Sequence, residues 1–573
     1  VLGHLTGTLS GSSLLLKAAG NISQSAVNAS TNGGSITLGG GAAGDGTGNA
    51  IGNATYNSGI ALSSATLTAA GGIISLKGRS ATTGTTDYAS GISITGSSSI
   101  TTTGAGDISL TGSSVATSGS QDTGIRIIGT SSSTLATITG GTTGSVTMNG
   151  TATTASPSGS YQHGIQLQNV KASTTGGNIS LTGTGGTTSG TSAGTGNNRG
   201  IAFESAAEVS ATGAGTVTLT GVGGTGGPSA TSANLGVSFN NTNNIKSESG
   251  AISINASAPD NTSYAASLGG TVASSSNGNI TVTTDSISIG GTVSTGTGTV
   301  TVQNATAGTY ITTGGATTDV RTTTPKTMVV DSTELGKITA STTVIGRNDA
   351  TGSGNVTVNA VNMGALGNTA GNLTVLSGND IAVSGEVTKS TGTDATLTLN
   401  AVNGIDINAA IGATSAGVGK LNMSMTANGN AADAANSKGI ALTKVINANG
   451  GTVNLTATNK NTAQNKYAVS FGNGSGITAG TYTVLGTQTL ASTNSGGYSA
   501  GVYFSGTSSF SSTGVSLING VNNSQYTAFT AGTWFDDGAN ASFNAGASGS
   551  LVVKGTNPNW KNGVRVGRGG GNN

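Results

Sequence analysis

Apolar residues alternate with Ser and Thr in short runs along this chain. The runs read Ile74-Ser75-Leu76, Ile108-Ser109-Leu110, Val146-Thr147-Met148, Ile179-Ser180-Leu181, Val217-Thr218-Leu219 and Ile252-Ser253-Ile254. A period of two puts apolar side chains on one face of a strand and hydroxyls on the other. A second phrase precedes each run: Gly59-Ile60-Ala61-Leu62, Gly91-Ile92-Ser93-Ile94, Gly124-Ile125-Arg126-Ile127, Gly164-Ile165-Gln166-Leu167, Gly200-Ile201-Ala202-Phe203 and Gly236-Val237-Ser238-Phe239. The pair of phrases returns about every 36 residues, and a fixed period of that size marks a stacked solenoid. No segment sustains a 3.6-residue apolar stripe. The best local helix candidate is the short Ala-rich stretch from Ala431 to Ala435.

Short strands, Gly or Asn corners and the absence of a helical repeat predict an all-β fold. We expect a right-handed parallel β-helix, an elongated rod with a continuous Ile/Val/Leu core. The fifth unit shows three strand candidates, Ile201 to Phe203, Val209 to Ala211 and Val217 to Thr220. Such a unit is either two coils of roughly 18 residues or one coil with an extruded loop. Stacking in register predicts one outward column of Ser75, Ser109, Thr147, Ser180, Thr218 and Ser253. A second column would hold Lys77, Thr111, Asn149, Thr182, Thr220 and Asn255. The glycines Gly59, Gly91, Gly124, Gly164, Gly200 and Gly236 read as structural corners that need positive φ.

Four regions are distinguished along the chain: residues 1–270 with the long repeat, 271–330 as irregular coils with a loop or break, 331–460 with changed phrases, and 461–573 as aromatic-richer terminal coils with a Gly-rich tail. The break is placed between Thr317 and Val330, which carries Arg321, Pro325 and Lys326.

Composition narrows the function. Gly numbers 99 and Pro 5, Cys is absent, charged residues are 7% and net charge is +1. Without a Lys/Arg cluster, no nucleic-acid partner is expected. Without cysteine there is neither a disulfide framework nor a thiolate metal site. No apolar run approaches the roughly 18 residues of a membrane helix. Low charge with abundant Thr, Asn and Gly suggests an exported chain. It starts at Val1, so a mature or excised segment is expected.

Catalytic signals are weak. The acidic residues are scattered, the one adjacent pair, Asp536-Asp537, precedes Gly538 in a turn composition, and His is limited to His4 and His163. No enzyme activity, metal or cofactor is expected. A Thr/Ser face can order water, as in ice-binding solenoids, but Lys77 and Asn149 interrupt the columns. The most specific polar feature is Tyr three residues before the corner Gly, at Tyr56, Tyr88, Tyr161 and Tyr498, with Tyr264 before Ser267. Asp122 and Arg199 fall close to the matching place in other units. This row either packs over coil corners or offers an aromatic stripe to sugar rings or partner chains.

Three later phrases carry a resemblance: Asp394-Ala395-Thr396-Leu397-Thr398-Leu399, then Gly404-Ile405-Asp406-Ile407-Asn408-Ala409-Ala410-Ile411, then Gly419-Lys420-Leu421-Asn422. With the recurring Gly-Asn-Ile/Val-Thr/Ser-Leu/Val, they resemble the filamentous-haemagglutinin-type large adhesins of Gram-negative bacteria. Such proteins are exported through a partner outer-membrane pore or as autotransporter passengers. The resemblance covers residues 350–460 closely and most of the chain in style. Family members begin with a secretion domain carrying Asn-Pro-Asn-Gly. Here Asn557-Pro558-Asn559 is followed by Trp560 near the other end, so no secretion domain is read.

The resulting expectation is a non-enzymatic adhesin or matrix rod, extracellular or on the bacterial cell surface. Its partners would be a host or neighbouring-cell glycan or protein, or copies of itself end to end. The alternative is a structural subunit of a self-assembling filament. A polysaccharide-active enzyme and an ice binder stand behind both.

Overall fold

The computed structural model describes all residues except 1–5, 41–47, 83–86, 118, 154, 157–160, 189–196, 227–233, 260–263, 367–370, 414–417, 430–437, 461–465, 490–497, 524–529, 559–561 and 568–573. The helix candidate from Ala431 to Ala435, together with Asn559 and Trp560, lies outside the described residues. The chain is a parallel β-solenoid, and it divides into two compact units. One comprises residues 1–305 with 319–324, the other residues 306–318 with 325–573.

In the first unit each coil contributes three strands. Ile92–Thr95, Ser99–Thr102 and Ile108–Ser114 make one coil. The first strands stack in parallel register through Ile22, Ile60, Ile92, Ile125, Ile165, Ile201, Val237, Ala266 and Ile287. Second strands stack through Leu67, Ile100, Ile138, Ala172, Val209, Ile245, Val272 and Val293. Third strands stack through Leu38, Leu76, Leu110, Met148, Leu181, Leu219, Ile254, Val282 and Val302. One long repeat is therefore one coil. Its extra length is inserted between a third strand and the first strand of the next coil. Where that insertion is missing, as from Thr283 to Ile287, the coil shrinks to about 20 residues.

Alternation fixes the core. Along Ile108–Ser114 every second residue is buried, beginning with Ile108. Each fully buried Ile or Leu is worth about 1.5–3 kcal/mol against leaving it exposed. Apolar side chains meet across rungs, so each coil is stabilised chiefly by its two neighbours. Both expected outward columns form: Ser75, Ser109, Thr147, Ser180, Thr218 and Ser253 are register partners in turn, as are Lys77, Thr111, Asn149, Thr182, Thr220 and Asn255.

Polar side chains organise the turns. At the inner end of the second strand, Thr102 Oγ1 donates to the Gly106 carbonyl at 2.7 Å, and Thr174 Oγ1 to Gly177 at 2.6 Å. Just before the third strand, Asp107 Oδ1 accepts from Ser145 N at 2.8 Å and Asn178 Oδ1 from Thr216 N at 2.9 Å, each one rung on. The Asn of the Gly-Asn-Ile/Val phrase thus stitches successive coils together.

The second unit repeats the plan. Its first strands stack through Ile311, Val356, Ile381, Ile405, Ile440, Val469, Val502, Thr533 and Val564. Beyond residue 460 aromatic rings fill the interior: Phe471 and Phe504 stack at 5.0 Å, and Phe504 and Phe535 at 4.5 Å, one ring per rung. The one helical turn with α geometry among the described residues is Ser332–Leu335. It starts at a capping box, with Asp331 accepting from Glu334 N and Glu334 accepting from Asp331 N.

Candidate functional site

The edge at which segments leave the first unit's coils is built on paired glycines. Near its end the third strand carries Gly78, Gly112, Gly150, Gly183 or Gly221, and the next first strand begins after Gly91, Gly124, Gly164, Gly200 or Gly236. A Cβ on Gly112 would lie 2.1 Å from the Gly124 carbonyl oxygen, one on Gly150 2.1 Å from Gly164, and one on Gly183 2.1 Å from Gly200. The corner glycines are equally confined: a Cβ on Gly124 would lie 2.3 Å from Thr151 N, and one on Gly164 2.2 Å from Thr184 N. Two backbones therefore touch directly beneath each inserted segment.

This corrects the expectation of positive φ at the corner glycines. None of Gly59, Gly91, Gly124, Gly164, Gly200 and Gly236 has it. Glycine is needed there for close approach. The left-handed conformation sits three residues earlier, at Tyr88 (φ 68°), Gln121 (62°), Tyr161 (66°) and Asn197 (66°). An L-residue other than Gly or Asn is rare in that region and costs about 1–2 kcal/mol. The same backbone geometry recurs at this place on four successive rungs.

The next position forms a buried polar ladder of Asp122, Gln162, Asn198 and Asn234. Asp122 Oδ1 accepts from Ala89 N at 2.9 Å, Asn198 Oδ1 from Gln162 N at 3.1 Å, and Asn234 Oδ1 from Asn198 N at 2.9 Å. Asp122 is therefore placed inside this ladder, one residue on from the tyrosines, and is not on the exposed stripe. Its Oδ2 has no hydrogen-bond partner among the described residues, and burial pushes its pKa up to about 7.

Outside the ladder, Tyr56, Tyr88 and Tyr161 are 51%, 43% and 41% exposed. The Arg126 guanidinium lies 4.8 Å from the Tyr88 ring centre, a cation–π contact from the next rung. Arg126 stands beside Gln166 in the outward column of the first strands. Gln166 Nε2 donates to Glu204 Oε2 at 2.9 Å. Arg199 Nη1 is 4.0 Å and His163 Nε2 3.9 Å from Glu204 Oε1. His163 is fully buried, its Nδ1 accepts from Arg199 N at 3.1 Å, and the Tyr161 ring stands edge-on to it at 6.1 Å. The neutral ring therefore carries its proton on Nε2. Burial, then the Arg199 charge, holds the His163 pKa well below its ordinary value. Burial also lowers the pKa of Arg126 and of Arg199, with Glu204 opposing it.

The structure thus joins Tyr88 to Arg126, and Tyr161 to a His163–Arg199–Glu204–Gln166 cluster that sequence reading located only at Tyr161 and Arg199. Tyr264 lies apart from these contacts under Arg321, whose guanidinium is 4.2 Å from its ring centre. Tyr498 belongs to the second unit, where it packs 5.2 Å from Trp534 beside Tyr503 and Tyr467. Asp536 stands before a turn at Gly538 (φ 77°) and also accepts from the Tyr503 hydroxyl at 2.6 Å. Aromatic rings, guanidinium groups and amides at one edge can stack on and hydrogen-bond a ligand. Among the described residues no three His, Asp or Glu side chains are grouped to hold a metal ion, and no helix is long and apolar enough to cross a membrane. Comparison with known proteins gives no family model, no curated protein and no solved structure that matches the chain.

Proposed function

We propose that this chain is a non-enzymatic extracellular adhesin or matrix protein of the filamentous-haemagglutinin type, displayed at the bacterial cell surface. In this reading the coils are a scaffold and the inserted segments are the recognition elements. One observation carries it: the coils hold strict register while the chain between paired glycines varies in length and sequence. Gly112 to Gly124 is a short insertion and Gly183 to Gly200 a longer one, yet Ile125 and Ile201 occupy the same column. Loops on a rigid scaffold are where binding residues concentrate. The half-exposed rings of Tyr88 and Tyr161 would stack on sugar rings or on an extended partner chain, and Arg126 and Arg199 would supply directional donors.

The test is surface attachment by the full chain, measured on a glycan array and on host cells. The comparison protein carries Tyr56→Ser, Tyr88→Asn and Tyr161→Asn, since Asn accepts the left-handed backbone that Asn197 already adopts. Attachment should fall at least tenfold. Attachment that is unchanged, or absent from every surface for the unaltered chain, overturns the reading.

A further inference from the structure

A second, chemically different recess lies in the second unit. The outward column of its first strands runs Asp406, Ala441, Ser470, Tyr503, Trp534 and Arg565. Two small residues, Ala441 and Ser470, stand between a carboxylate and an aromatic row. At about 4.8 Å per rung they leave a notch roughly 10 Å wide. Asn459, Lys466, Tyr467 and Lys438 wall it, and the resulting cleft measures about 170 Å³. That is the volume of five or six waters at about 30 Å³ each.

The polar groups around the notch are unequally used. Asp380 accepts from Asn403 Nδ2 at 2.8 Å, Gly404 N at 3.0 Å and Lys438 Nζ at 2.8 Å. Lys438 is therefore the counter-ion of Asp380. Asp406 lies 3.9 Å from Lys438 Nζ, beyond hydrogen-bond reach, and accepts no hydrogen bond among the described residues. Its side chain is nevertheless only 37% exposed. Burial raises its pKa, which fits a carboxylate lacking donors. Across the notch, Lys466 has no acidic group within 4 Å among the described residues. Two carboxylates and two ammonium groups leave the recess with no net charge. Tyr467 stacks one face on Tyr503, with ring centres 3.8 Å apart and planes 6° from parallel. That pairing holds the ring rigid at the wall of the cleft.

We propose that this cleft binds one neutral pyranose unit of a glycan. A sugar ring presents hydroxyls that both donate and accept, so one ring can give hydrogen bonds to Asp406 and take them from Lys466 and Lys438. Its C–H groups pack on Tyr467 and its size suits the notch. An anionic sugar would leave Asp406 opposed to a like charge, and a purely apolar ligand would strand both charges without partners. The site is open, so the neighbouring sugars of a chain can continue past it. Binding by a single ring in so small a cleft should be weak, on the order of millimolar.

Saturation-transfer NMR on the full chain tests this with methyl glycosides of neutral hexoses, methyl glucuronide and glycine as the probes. Transfer to at least one neutral glycoside is expected. It should drop at least fivefold in Asp406→Asn and vanish in Ser470→Trp, whose indole fills the notch. Far-UV circular dichroism checks that both variants fold, and Ser470→Gln replaces the Trp variant if that one does not. The Tyr88→Asn/Tyr161→Asn protein should retain the signal, which separates this cleft from the attachment edge whatever becomes of the latter. No transfer to any neutral glycoside, transfer confined to glucuronide or glycine, or a signal untouched by both cleft variants overturns the proposal.

Discussion

The backbone N–H of Ala89 donates to Oδ1 of Asp122 at 2.9 Å, across one rung of the solenoid. The bond puts a carboxylate where other rungs use an amide, because Asn198 and Asn234 make the same contact. The remaining oxygen of Asp122 is buried without a donor, so the group is held half-protonated near neutral pH.

Asp122→Asn should therefore stabilise the first unit above pH 7, by about 1–2 kcal/mol. In the unaltered protein the folded pKa of about 7 exceeds the ordinary value of 3.8. Between these the native state holds a proton that the unfolded chain has released, so stability falls as pH rises through the interval. Thermal unfolding followed from pH 4 to pH 8 should show that fall, and the Asn variant should show a smaller one.

His163 has the opposite sign. Its folded pKa lies well below 6.5, so below that pH the unfolded chain takes up a proton that the native state refuses. Stability is lost as pH drops through about 6.5. Measured in the Asp122→Asn background, the acid-side loss should stand out more clearly. His163→Gln in the same background should reduce the loss between pH 6.5 and pH 5.

Two glycines separate close approach from backbone freedom. Gly112→Ala brings a Cβ to 2.1 Å from the Gly124 carbonyl and should cost about 3 kcal/mol. Gly104→Ala adds its Cβ in open space, at φ 58°, and should cost about 1 kcal/mol. Urea denaturation of the two variants reads the difference. Equal costs would mean that the glycine pair does not clamp the base of the insertion.

Lys389 points into the second unit's core, with its Nζ donating to the Thr391 carbonyl at 2.8 Å. Burial lowers its pKa, so the protein should gain stability as pH rises towards the ordinary lysine value of 10.5. Lys389→Met keeps the stem without the buried charge. It should raise stability by about 1 kcal/mol at pH 7 and flatten the alkaline rise in a thermal-melt series.

The scaffold was readable because alternation and period are local signals. Ile108-Ser109-Leu110 names its own buried face, and repeating it names the stacking direction. Coil length was not readable. Nothing in the spacing from Ile60 to Ile92 says whether the residues between them close a coil or leave it. The sequence shows the corner glycines but not their reason: contact between Gly112 and Gly124 is made in space by residues of successive coils. The residue that carries positive φ is Tyr, Gln or Asn on different rungs, so no residue type announces it. Tyr161 and Arg199 stand out in the sequence by position alone, whereas Glu204 and Gln166 join them only because strands one rung apart are in register. The capping box at Asp331 and Glu334 did have a sequence signal, an Asp three residues before a Glu. So did the cross-rung bonds of Asp107 and Asn178, each lying immediately before a third strand.

Paired glycines such as Gly150 and Gly164 close the backbone circuit beneath the insertions they flank. What is spliced above them leaves the rungs below unchanged. Selection can then rewrite an insertion, lengthen it or exchange it with another rung's at little thermodynamic cost to the fold. The same property makes each glycine pair a natural graft point, where a foreign peptide could be carried at a chosen height along the first unit's stack.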